Sequence, residues 1–302
     1  MIVELEGREG LRLDMHLLEE LKKREVSAIT RSKIQKLIRD GKVEINGVVV
    51  KKGGLKLKGK EKITVNFEFD ENEEIEAENI PLDIIYEDNV ILVVNKPAGM
   101  VVHPAAGHRK GTLVNAILYH VKDLDFPQGK VGLVHRLDKD TSGCLVVAKN
   151  EEALLELRRQ WQNRAVEKEY VAVVEGHIPD GITVLKGPIG RHPKDRIKMA
   201  VVSYGKEAET WVEPIEYLKG ATLCKVLIKT GRTHQIRVHL SRFGHPIVGD
   251  KVYGKGSNLI NRVALHAKKL GFYHPITREW LEVEAPLADD IKSLINTLRQ
   301  GN

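Results

Sequence analysis

The spacing of apolar residues near the N-terminus predicts two short helices and a hairpin. In RLDMHLLEELKKR, leucines recur on one helical face, at Leu13, Leu17 and Leu21. In TRSKIQKLIRDG, a second apolar stripe is formed by Ile34, Leu37 and Ile38. Thr30 can cap this second helix and Gly41 can end it. The next segment, KVEINGVVVKK, alternates apolar and polar residues up to Asn-Gly, a pair that favours a tight hairpin turn.

From residue 81 onward, short apolar runs separated by Gly and Pro predict strands. The runs are VILVVN (90–95), CLVVAK (144–149), YVAVVEG (170–176) and LCKVLIK (223–229). Residues 150–163 and 233–243 have helical periodicity, but strands and long helices do not alternate as in a doubly wound parallel sheet. We therefore predict an α+β fold: a mixed, largely antiparallel β-sheet flanked by helices, preceded by a small N-terminal α/β domain.

Charge divides the chain into the same parts. Residues 31–62 hold eleven Lys or Arg and three Asp or Glu, a net charge of +8. Residues 67–80, FEFDENEEIEAENI, hold seven acids and no base. Such a sharp shift marks a boundary. We predict a basic domain over residues 1–66, an acidic linker over 67–80 and a larger domain over 81–302.

Composition excludes several classes of protein. Of the 302 residues, 42% are apolar and 30% are charged, as in globular proteins. No apolar run reaches the ~18 residues of a membrane span, and the charged start MIVELEGREG is unlike a signal peptide. Cys144 and Cys224 lie far apart and outside any CxxC pair. This argues against a disulfide framework or a zinc site and favours the reducing cytoplasm.

Basic residues lie around the other side of the second predicted helix: Arg31, Lys33, Lys36 and Arg39. A solvated charged face is one interpretation, and binding to an RNA phosphate backbone is the other. The stretch 10–66 resembles the S4 RNA-binding domain, through Arg12-Leu13-Asp14, Thr30-Arg31-Ser32, Gln35-Lys36-Leu37-Ile38, Gly41 and Val43 to Gly47. The resemblance implies a small α/β RNA-binding domain that grips structured RNA and accompanies another activity.

A densely polar segment, VHRLDKDTSG (134–143), directly precedes the predicted strand at 144–149. Loops on the rim of a rigid sheet often carry function, but Asp140 and Gly143 also suit a solvated turn. The sequence has no GxxxxGK[ST], GxGxxG, HExxH or GxSxG motif. His234 and His239 are five residues apart on a predicted helix and would not share a face as metal ligands.

A carboxylate and an arginine remain as candidate chemistry. In TGRTHQIRVHLSRFG (230–244), Thr233 can cap a helix and Gly244 can end it. Arg237 lies at the border of the buried stripe of this helix, and a buried arginine requires an anionic partner. Asp138 is a natural partner, because the arginine would keep it ionised and in one rotamer, as a nucleophile or base. A purely structural ion pair is the alternative.

Six segments occur in the larger domain in a characteristic order: DIIYEDNVILVVNKPAGMVVHP (83–104), HRLDKDTSG (135–143), EKEYVAVVEG (167–176), TGRTHQIRVHL (230–240), GHPIVGDKVYG (244–254) and ALHAKKLGF (264–272). Together they resemble the large-ribosomal-subunit pseudouridine synthase family, in the type that carries an N-terminal S4 domain. The resemblance implies isomerisation of uridine within RNA. The glycosidic bond breaks, the uracil rotates and a carbon–carbon bond forms, so no metal or redox cofactor is required.

The resemblance also implies roles for single residues. Asp138 is the expected catalytic aspartate, and Arg237 is expected to pair with it. Tyr170 is expected against the uracil ring, with a part in proton removal. Because a stacked uridine must be extruded from the RNA, Arg136 is expected to fill the gap that the flipped nucleotide leaves. The expected contacts to RNA phosphates are Arg31, Lys33, Lys36 and Arg39.

The expected substrate is large-subunit (23S) ribosomal RNA or a pre-ribosomal particle, and the expected enzyme is a cytoplasmic monomer without membrane contact. Three alternatives stay open: a transfer-RNA pseudouridine synthase, a non-catalytic ribosome-associated RNA-binding protein, and an RNA hydrolase using Asp138 with Asp140. A non-catalytic protein would not need Asp138, Tyr170 and Arg237 together. Asp138 and Asp140, two residues apart on a loop, are expected to point apart.

Overall fold

The computed structural model describes residues 2–24, 29–66, 75–104, 109–122, 124–126, 131–195 and 197–300. The chain forms two compact units, Met1–Glu74 and Ile75–Asn302. Residues 67–74 of the predicted acidic linker lie outside the described residues, so the predicted domain boundaries stay a prediction. Within the described ranges, no helix has both the length and the apolar character needed to cross a membrane.

The smaller unit packs two helices against an antiparallel sheet. Its elements are β1 (Ile2–Glu6), α1 (Leu13–Lys23), α2 (Arg31–Arg39), β2 (Val43–Ile45), β3 (Val48–Val49) and β4 (Lys62–Asn66). The strand order is β1-β4-β2-β3. The predicted apolar stripes form the core, and Thr30 caps α2 by accepting a hydrogen bond from the Lys33 N–H (3.3 Å). Asn46 and Gly47, with φ of 50° and 77°, make the predicted turn between β2 and β3.

The larger unit contains the remaining elements of the described chain. They are β5 (Ile84–Glu87), β6 (Ile91–Lys96), α3 (Leu113–His120), β7 (Gly132–Leu133), β8 (Ser142–Ala148), α4 (Glu151–Gln162), β9 (Glu167–Glu175), β10 (Thr183–Lys186), β11 (Ile189–Arg191), β12 (Met199–Val201), β13 (Glu209–Leu218), β14 (Ala221–Ile228), α5 (Gln235–Phe243), β15 (Leu265–Tyr273), β16 (Trp280–Glu284) and α6 (Asp289–Gln300).

One twisted sheet organises this unit. Its strand order is β10-β13-β14-β9-β15-β8-β6-β5, with β16 added to β15 and β7 added to β8. Among the strand pairs of the described residues, only β8 with β15 runs parallel. The predicted α+β fold with a largely antiparallel sheet is therefore confirmed.

The central strands of the sheet are buried on both faces. Along β6, Leu92 and Val94 face one apolar cluster, whereas Ile91 and Val93 face another. Helix α4 covers the second face, and α3, α5 and α6 pack into the cluster on the first. A strand covered on both sides reads as a continuous apolar run, which is why these strands were visible in the sequence. The result is a rigid platform for the loops at its edge.

Candidate active site

The polar loop of residues 134–141 is anchored to β8 and α4 by the side chain of His135. His135 Nε2 accepts a hydrogen bond from the Val146 N–H (3.1 Å), and its ring packs on Trp161 with a centroid distance of 5.0 Å. Burial lowers the pKa of His135 to about 3, so this imidazole is neutral and anchors the loop. Leu137 is buried in the core. The neighbouring Asp138 keeps 22% of its side chain exposed.

A buried lysine ties a second segment to this loop. Lys96 Nζ donates hydrogen bonds to the carbonyl oxygens of Pro97 (2.8 Å), Met100 (2.8 Å) and Lys139 (3.0 Å). Burial lowers the pKa of Lys96 to about 7. Three carbonyl groups thus replace the water that this ammonium loses. The sequence analysis did not identify Lys96, because its partners are backbone atoms that leave no trace in residue types.

Gly143 lets β8 approach β15 closely. Its φ is +114°, and a Cβ atom at this position would lie 2.2 Å from the carbonyl oxygen of Ala267. Gly143 is therefore a strand residue of β8, and the solvated-turn interpretation of this glycine is wrong. The close pairing fixes the direction in which the loop leaves the sheet.

A cleft of about 1030 Å³ opens above this loop in the larger unit. It is lined by all four residues that the sequence analysis assigned to catalysis and to the flipped nucleotide: Asp138, Tyr170, Arg237 and Arg136. They come from the loop before β8, from β9 and from α5. The fold thus brings together residues that are about a hundred positions apart in the chain. The cleft also contains Thr141, whose buried hydroxyl has no hydrogen-bond partner among the described residues.

Arg237 is shared between two carboxylates. Its Nη1 lies 3.6 Å from Asp138 Oδ2, which is the predicted pair. Its tight partner is Asp250, which accepts from Nε at 2.7 Å and from Nη2 at 2.9 Å. Asp250 is a second partner of Arg237 that the sequence analysis did not anticipate. Asp250 lies in a loop that no local pattern links to α5.

Asp250 is itself rigidly held. Only 1% of it is exposed, and Oδ1 also accepts hydrogen bonds from the backbone N–H groups of Val252 (2.9 Å) and Tyr253 (3.0 Å). Burial raises the pKa of Asp250, but the hydrogen bonds and charge of Arg237 together with the two backbone N–H groups outweigh it, so the net shift is downward. The Tyr253 ring lies 5.1 Å from the guanidinium carbon of Arg237. These contacts leave Nη1 of Arg237 directed at Asp138.

His234 is a second neighbour of Asp138 that sequence reasoning missed. Its Nε2 lies 3.9 Å from Asp138 Oδ2, and its Nδ1 lies 2.8 Å from the Tyr253 hydroxyl. That hydroxyl accepts a hydrogen bond from the Met199 N–H (2.8 Å), so it can donate its own proton to Nδ1. Nε2 of a neutral His234 then carries the proton toward Asp138. Asp138 thus faces donors from two residues of the same segment.

The start of α5 departs from the prediction. Thr233 does not cap the helix: the N-cap residue is His234, in the left-handed region at φ 56°. The Thr233 hydroxyl instead accepts a hydrogen bond from Arg136 Nη2 (3.2 Å). The unusual backbone is the cost of aiming the His234 ring at both Tyr253 and Asp138. Gly244 ends the helix as predicted, with φ 95°.

Tyr170 presents a neutral phenol to the cleft. It lies on β9 and is 9% exposed. Burial, followed by the charge of Asp138, raises the pKa of Tyr170 well above its ordinary value. Its ring packs into the main apolar cluster. The residue therefore offers an apolar ring, with a hydroxyl that keeps its proton at physiological pH.

Comparison with known proteins identifies the family of the chain. The family described as RNA pseudouridylate synthase matches residues 90–242, which is just over half of the chain and includes Asp138, Tyr170 and Arg237. The chain belongs to the RNA pseudouridylate synthase family. It is thus an isomerase that converts uridine in RNA to pseudouridine, as predicted. The S4 domain matches residues 21–63, which confirms the predicted N-terminal RNA-binding domain.

Individual relatives of this pseudouridine synthase cover nearly its whole length. The uncharacterized RNA pseudouridine synthase YlyB of Bacillus subtilis (strain 168) is 46% identical over 275 residues, or 90% of each chain. The ribosomal large subunit pseudouridine synthase D of Escherichia coli (strain K12) is 41% identical over 309 residues, covering 97% of this chain and 92% of its own. The solved structure of human RNA Pseudouridylate Synthase Domain Containing 1 covers 74% of this chain and 96% of its own, with 31% identity and a TM-score of 0.57.

In the S4 unit of the synthase, the four predicted RNA-contacting cations are not equivalent. Lys33, Lys36 and Arg39 are exposed on α2. Arg31 instead donates to Asp14 Oδ2 (3.0 Å), which Arg12 also contacts. Asp14 is fully buried, and although burial opposes its ionisation, hydrogen bonds from the two arginines hold its pKa at about 2. Arg31 therefore has a structural partner that the sequence analysis did not anticipate.

Proposed function

We propose that this protein isomerises uridines of large-subunit (23S) ribosomal RNA, with Asp138 as the catalytic carboxylate. The single observation that carries the catalytic assignment is the convergence of Arg237 and His234 on Asp138 beside Tyr170. The target is supported by the 41% identity to ribosomal large subunit pseudouridine synthase D of Escherichia coli (strain K12) over 97% of this chain. A ribosomal target implies work in the cytoplasm, on free RNA or a pre-ribosomal particle.

In the proposed mechanism, the contact with Arg237 holds the Asp138 carboxylate in one rotamer. A fixed carboxylate can act as nucleophile or base on the extruded nucleotide while the glycosidic bond breaks. The charge of Arg237 is balanced by Asp250, so the pair with Asp138 is long, at 3.6 Å, and leaves Asp138 accessible. A bidentate bond to Asp138 would have occupied both of its oxygens. Asp250 thus holds Arg237 in place and leaves the Asp138 carboxylate accessible.

Tyr170 is proposed to support the uracil ring. Stacking on an aromatic ring offsets part of the few kcal/mol that extrusion of a stacked base costs. Its raised pKa favours this role over that of a general base, because a neutral phenol is a weak base.

Arg136 is proposed to fill the gap in the RNA. It is exposed at the cleft and is held on one side by Thr233. A guanidinium plane can stack on the bases that flank an extruded nucleotide. The S4 unit is proposed to add affinity through Lys33, Lys36 and Arg39, with Arg31 contributing less because Asp14 partly neutralises it.

The catalytic assignment is tested by a matched pair of variants. Asp138→Asn removes the charge at equal size, and we expect it to fold, to bind RNA and to form no pseudouridine. Asp140→Asn lies two residues away on the same exposed loop and should keep most activity. Purified proteins are compared at equal concentration by counting pseudouridine formed per uridine. Turnover by Asp138→Asn would remove the assigned role, and equal inactivity of both would indicate a two-carboxylate mechanism.

The RNA target is tested in cells that lack the protein. Pseudouridine positions are mapped in total RNA and compared after return of the wild-type or the Asp138→Asn protein. We expect positions in large-subunit ribosomal RNA to be lost and to return with the wild type alone. Loss confined to transfer RNA would show a different target for the same chemistry.

A further inference from the structure

One lysine of the cleft is buried without a partner. Lys168 on β9 is only 9% exposed, yet it has neither an ion pair nor a side-chain hydrogen bond within the described residues. The other buried lysine among the described residues of this unit, Lys96, is satisfied by three carbonyl oxygens. A buried ammonium without such partners is costly. Lys168 lines the cleft, so a ligand in the cleft is where its partner can come from.

The surroundings of Lys168 make an anionic ligand the fitting one. Of the further cations that line the same cleft, Arg164, Lys229 and Arg232 act on Lys168 through their charges. None of these four cations forms an ion pair with a carboxylate in the described part of the chain; Arg232 donates to the carbonyl oxygen of Glu207 (3.2 Å). Burial, and then the charges of Arg164, Arg232 and Lys229, lower the pKa of Lys168 to about 8. We call these four residues the cationic wall.

The position of Lys168 relative to Tyr170 limits which anion it can reach. Lys168 and Tyr170 are two residues apart on β9. Their side chains therefore leave the same face of the strand, about 7 Å apart along it. That is about the distance that a ribose places between its base and a neighbouring phosphate. A uracil held against Tyr170 would therefore bring a phosphate of its own strand to the cationic wall.

We propose that Lys168 binds a phosphate group that adjoins the target uridine, with Arg164, Lys229 and Arg232 completing the subsite. This inference rests on the proposed placement of the uracil against Tyr170. The ligand class is a backbone phosphodiester of RNA. Binding it replaces the hydration that Lys168 has lost, and the contact fixes the extruded nucleotide from its sugar–phosphate side. The subsite lies wholly in the larger unit and is distinct from the cations of the S4 unit.

The first test uses Lys168→Met, which keeps the length of the side chain and removes its charge. Its control is Lys225→Met on the adjacent strand β14, where the lysine lies near Glu169 and Glu213 (3.9 Å and 3.7 Å). The substrate is total RNA from cells lacking the protein, which contains the true target whichever RNA it is. We expect Lys168→Met to lower kcat/KM about tenfold, as for one lost bond to a charged group, with the control unchanged.

Thermal unfolding separates this role from a structural one. If Lys168 is kept for a ligand, Lys168→Met is at least as stable as the wild type, because it removes an unpaired buried charge. A variant that is less stable but equally active would overturn the proposal. If Lys168→Met loses activity only at uridines outside ribosomal RNA, the proposed RNA target is wrong. The comparison of this variant with the wild type still tests the phosphate subsite.

The second test locates the phosphate. The substrates are short synthetic RNAs that contain the target uridine. Each RNA carries one neutral methylphosphonate linkage, and its position differs from one RNA to the next. We expect the linkage next to the target uridine to weaken binding to the wild type but not to Lys168→Met. Equal effects on both proteins at every position would overturn the subsite. An effect found only at a distant linkage would also overturn it, by separating Lys168 from the nucleotide on Tyr170.

Discussion

At the scale of single residues, the site depends on how one arginine is divided between two acids. Arg237 contacts Asp250 at 2.7 Å and 2.9 Å but Asp138 at 3.6 Å. The tighter bond is to Asp250, which is buried and is also held by backbone N–H groups. The acid left with the looser contact is the one that is partly exposed to the cleft. Under the proposed function, Asp250 therefore acts as a positioning residue and leaves Asp138 free to react.

We predict that Asp250→Asn lowers kcat about 10²-fold while RNA affinity stays within a few-fold of the wild type. The physical reason is that an unheld guanidinium shifts toward Asp138, and a displacement on the order of 1 Å can cost 10²-fold. The variant should also lose about 3 kcal/mol of stability, because it breaks a buried ion pair. The measurements are single-turnover rate, RNA binding and denaturant unfolding.

The control for this prediction is Glu216→Gln, which breaks the bidentate bond of Glu216 to Arg299 (2.8 Å and 2.6 Å) outside the cleft. It should leave kcat unchanged. If Asp250→Asn folds and its kcat equals that of Glu216→Gln, Asp250 does not position the arginine.

His135 makes stability depend on pH. Its pKa is about 3 in the folded protein and about 6.5 when unfolded, so the unfolded state binds the proton more tightly between these values. The contribution is complete above pH 6.5 and is lost as the pH falls, by at most about 1.4 kcal/mol per unit. Between pH 7 and pH 5 the wild type should lose about 1–2 kcal/mol more than His135→Gln. Urea unfolding at both pH values measures this, and parallel pH profiles would contradict it.

At the scale of elements, the approach of β8 to β15 sets the catalytic loop. The two strands pair in parallel at Gly143 and Ala267, and the loop enters β8 one residue earlier. Any side chain at Gly143 must push the strands apart. The loop that carries Asp138 would move with β8.

We predict that Gly143→Ala loses at least about 3 kcal/mol of stability and most activity, since both a left-handed φ and a backbone clash oppose the methyl group. Gly220→Ala is the matched control: its φ of +63° is also positive, but a Cβ there meets nothing within 4 Å. The control should lose only about 1 kcal/mol and keep activity. Equal unfolding midpoints of the two variants would show that strain alone matters at Gly143.

At the scale of the whole molecule, the two units are expected to divide affinity and chemistry. Lys33, Lys36 and Arg39 of α2 lie in the S4 unit, whereas the proposed catalytic residues lie in the larger unit. Replacing Lys33, Lys36 and Arg39 with Gln should weaken binding to long ribosomal RNA. If all three contact phosphates, the slope of log affinity against log salt should fall by roughly 2–3.

The single-turnover rate of this triple variant at saturating RNA should match that of the wild type. Binding is measured at several salt concentrations with one RNA for both proteins. An unchanged salt slope would show that α2 is not the RNA grip. A lost chemical step at unchanged affinity would place α2 in the mechanism.

The sequence by itself determined several of the strands and helices, the resemblance to the family, and the proposed catalytic positions Asp138, Tyr170 and Arg237. Strands buried on both faces appear as apolar runs, and helices facing one core appear as stripes, so local periodicity was sufficient for both. The cap at Thr30 and the turn at Asn46-Gly47 were predictable because each depends only on residues no more than four positions away in the chain. The catalytic loop was predictable because its residues form one continuous segment.

Tertiary structure alone decided the partners. Asp250 for Arg237, Asp14 for Arg31 and the three carbonyl groups for Lys96 are all contacts whose geometry is set by packing of separate elements. The left-handed His234, which replaced the expected cap at Thr233, is explained by Tyr253 and Asp138, neither of them a helix neighbour. In the sequence, Lys168 does not differ from an exposed strand lysine. Only the fold shows that it is buried and that it has no ion pair or side-chain hydrogen bond within the described residues. Residue types give the charge of a group, but only the fold gives the distances and the dielectric surroundings that decide which charges are paired.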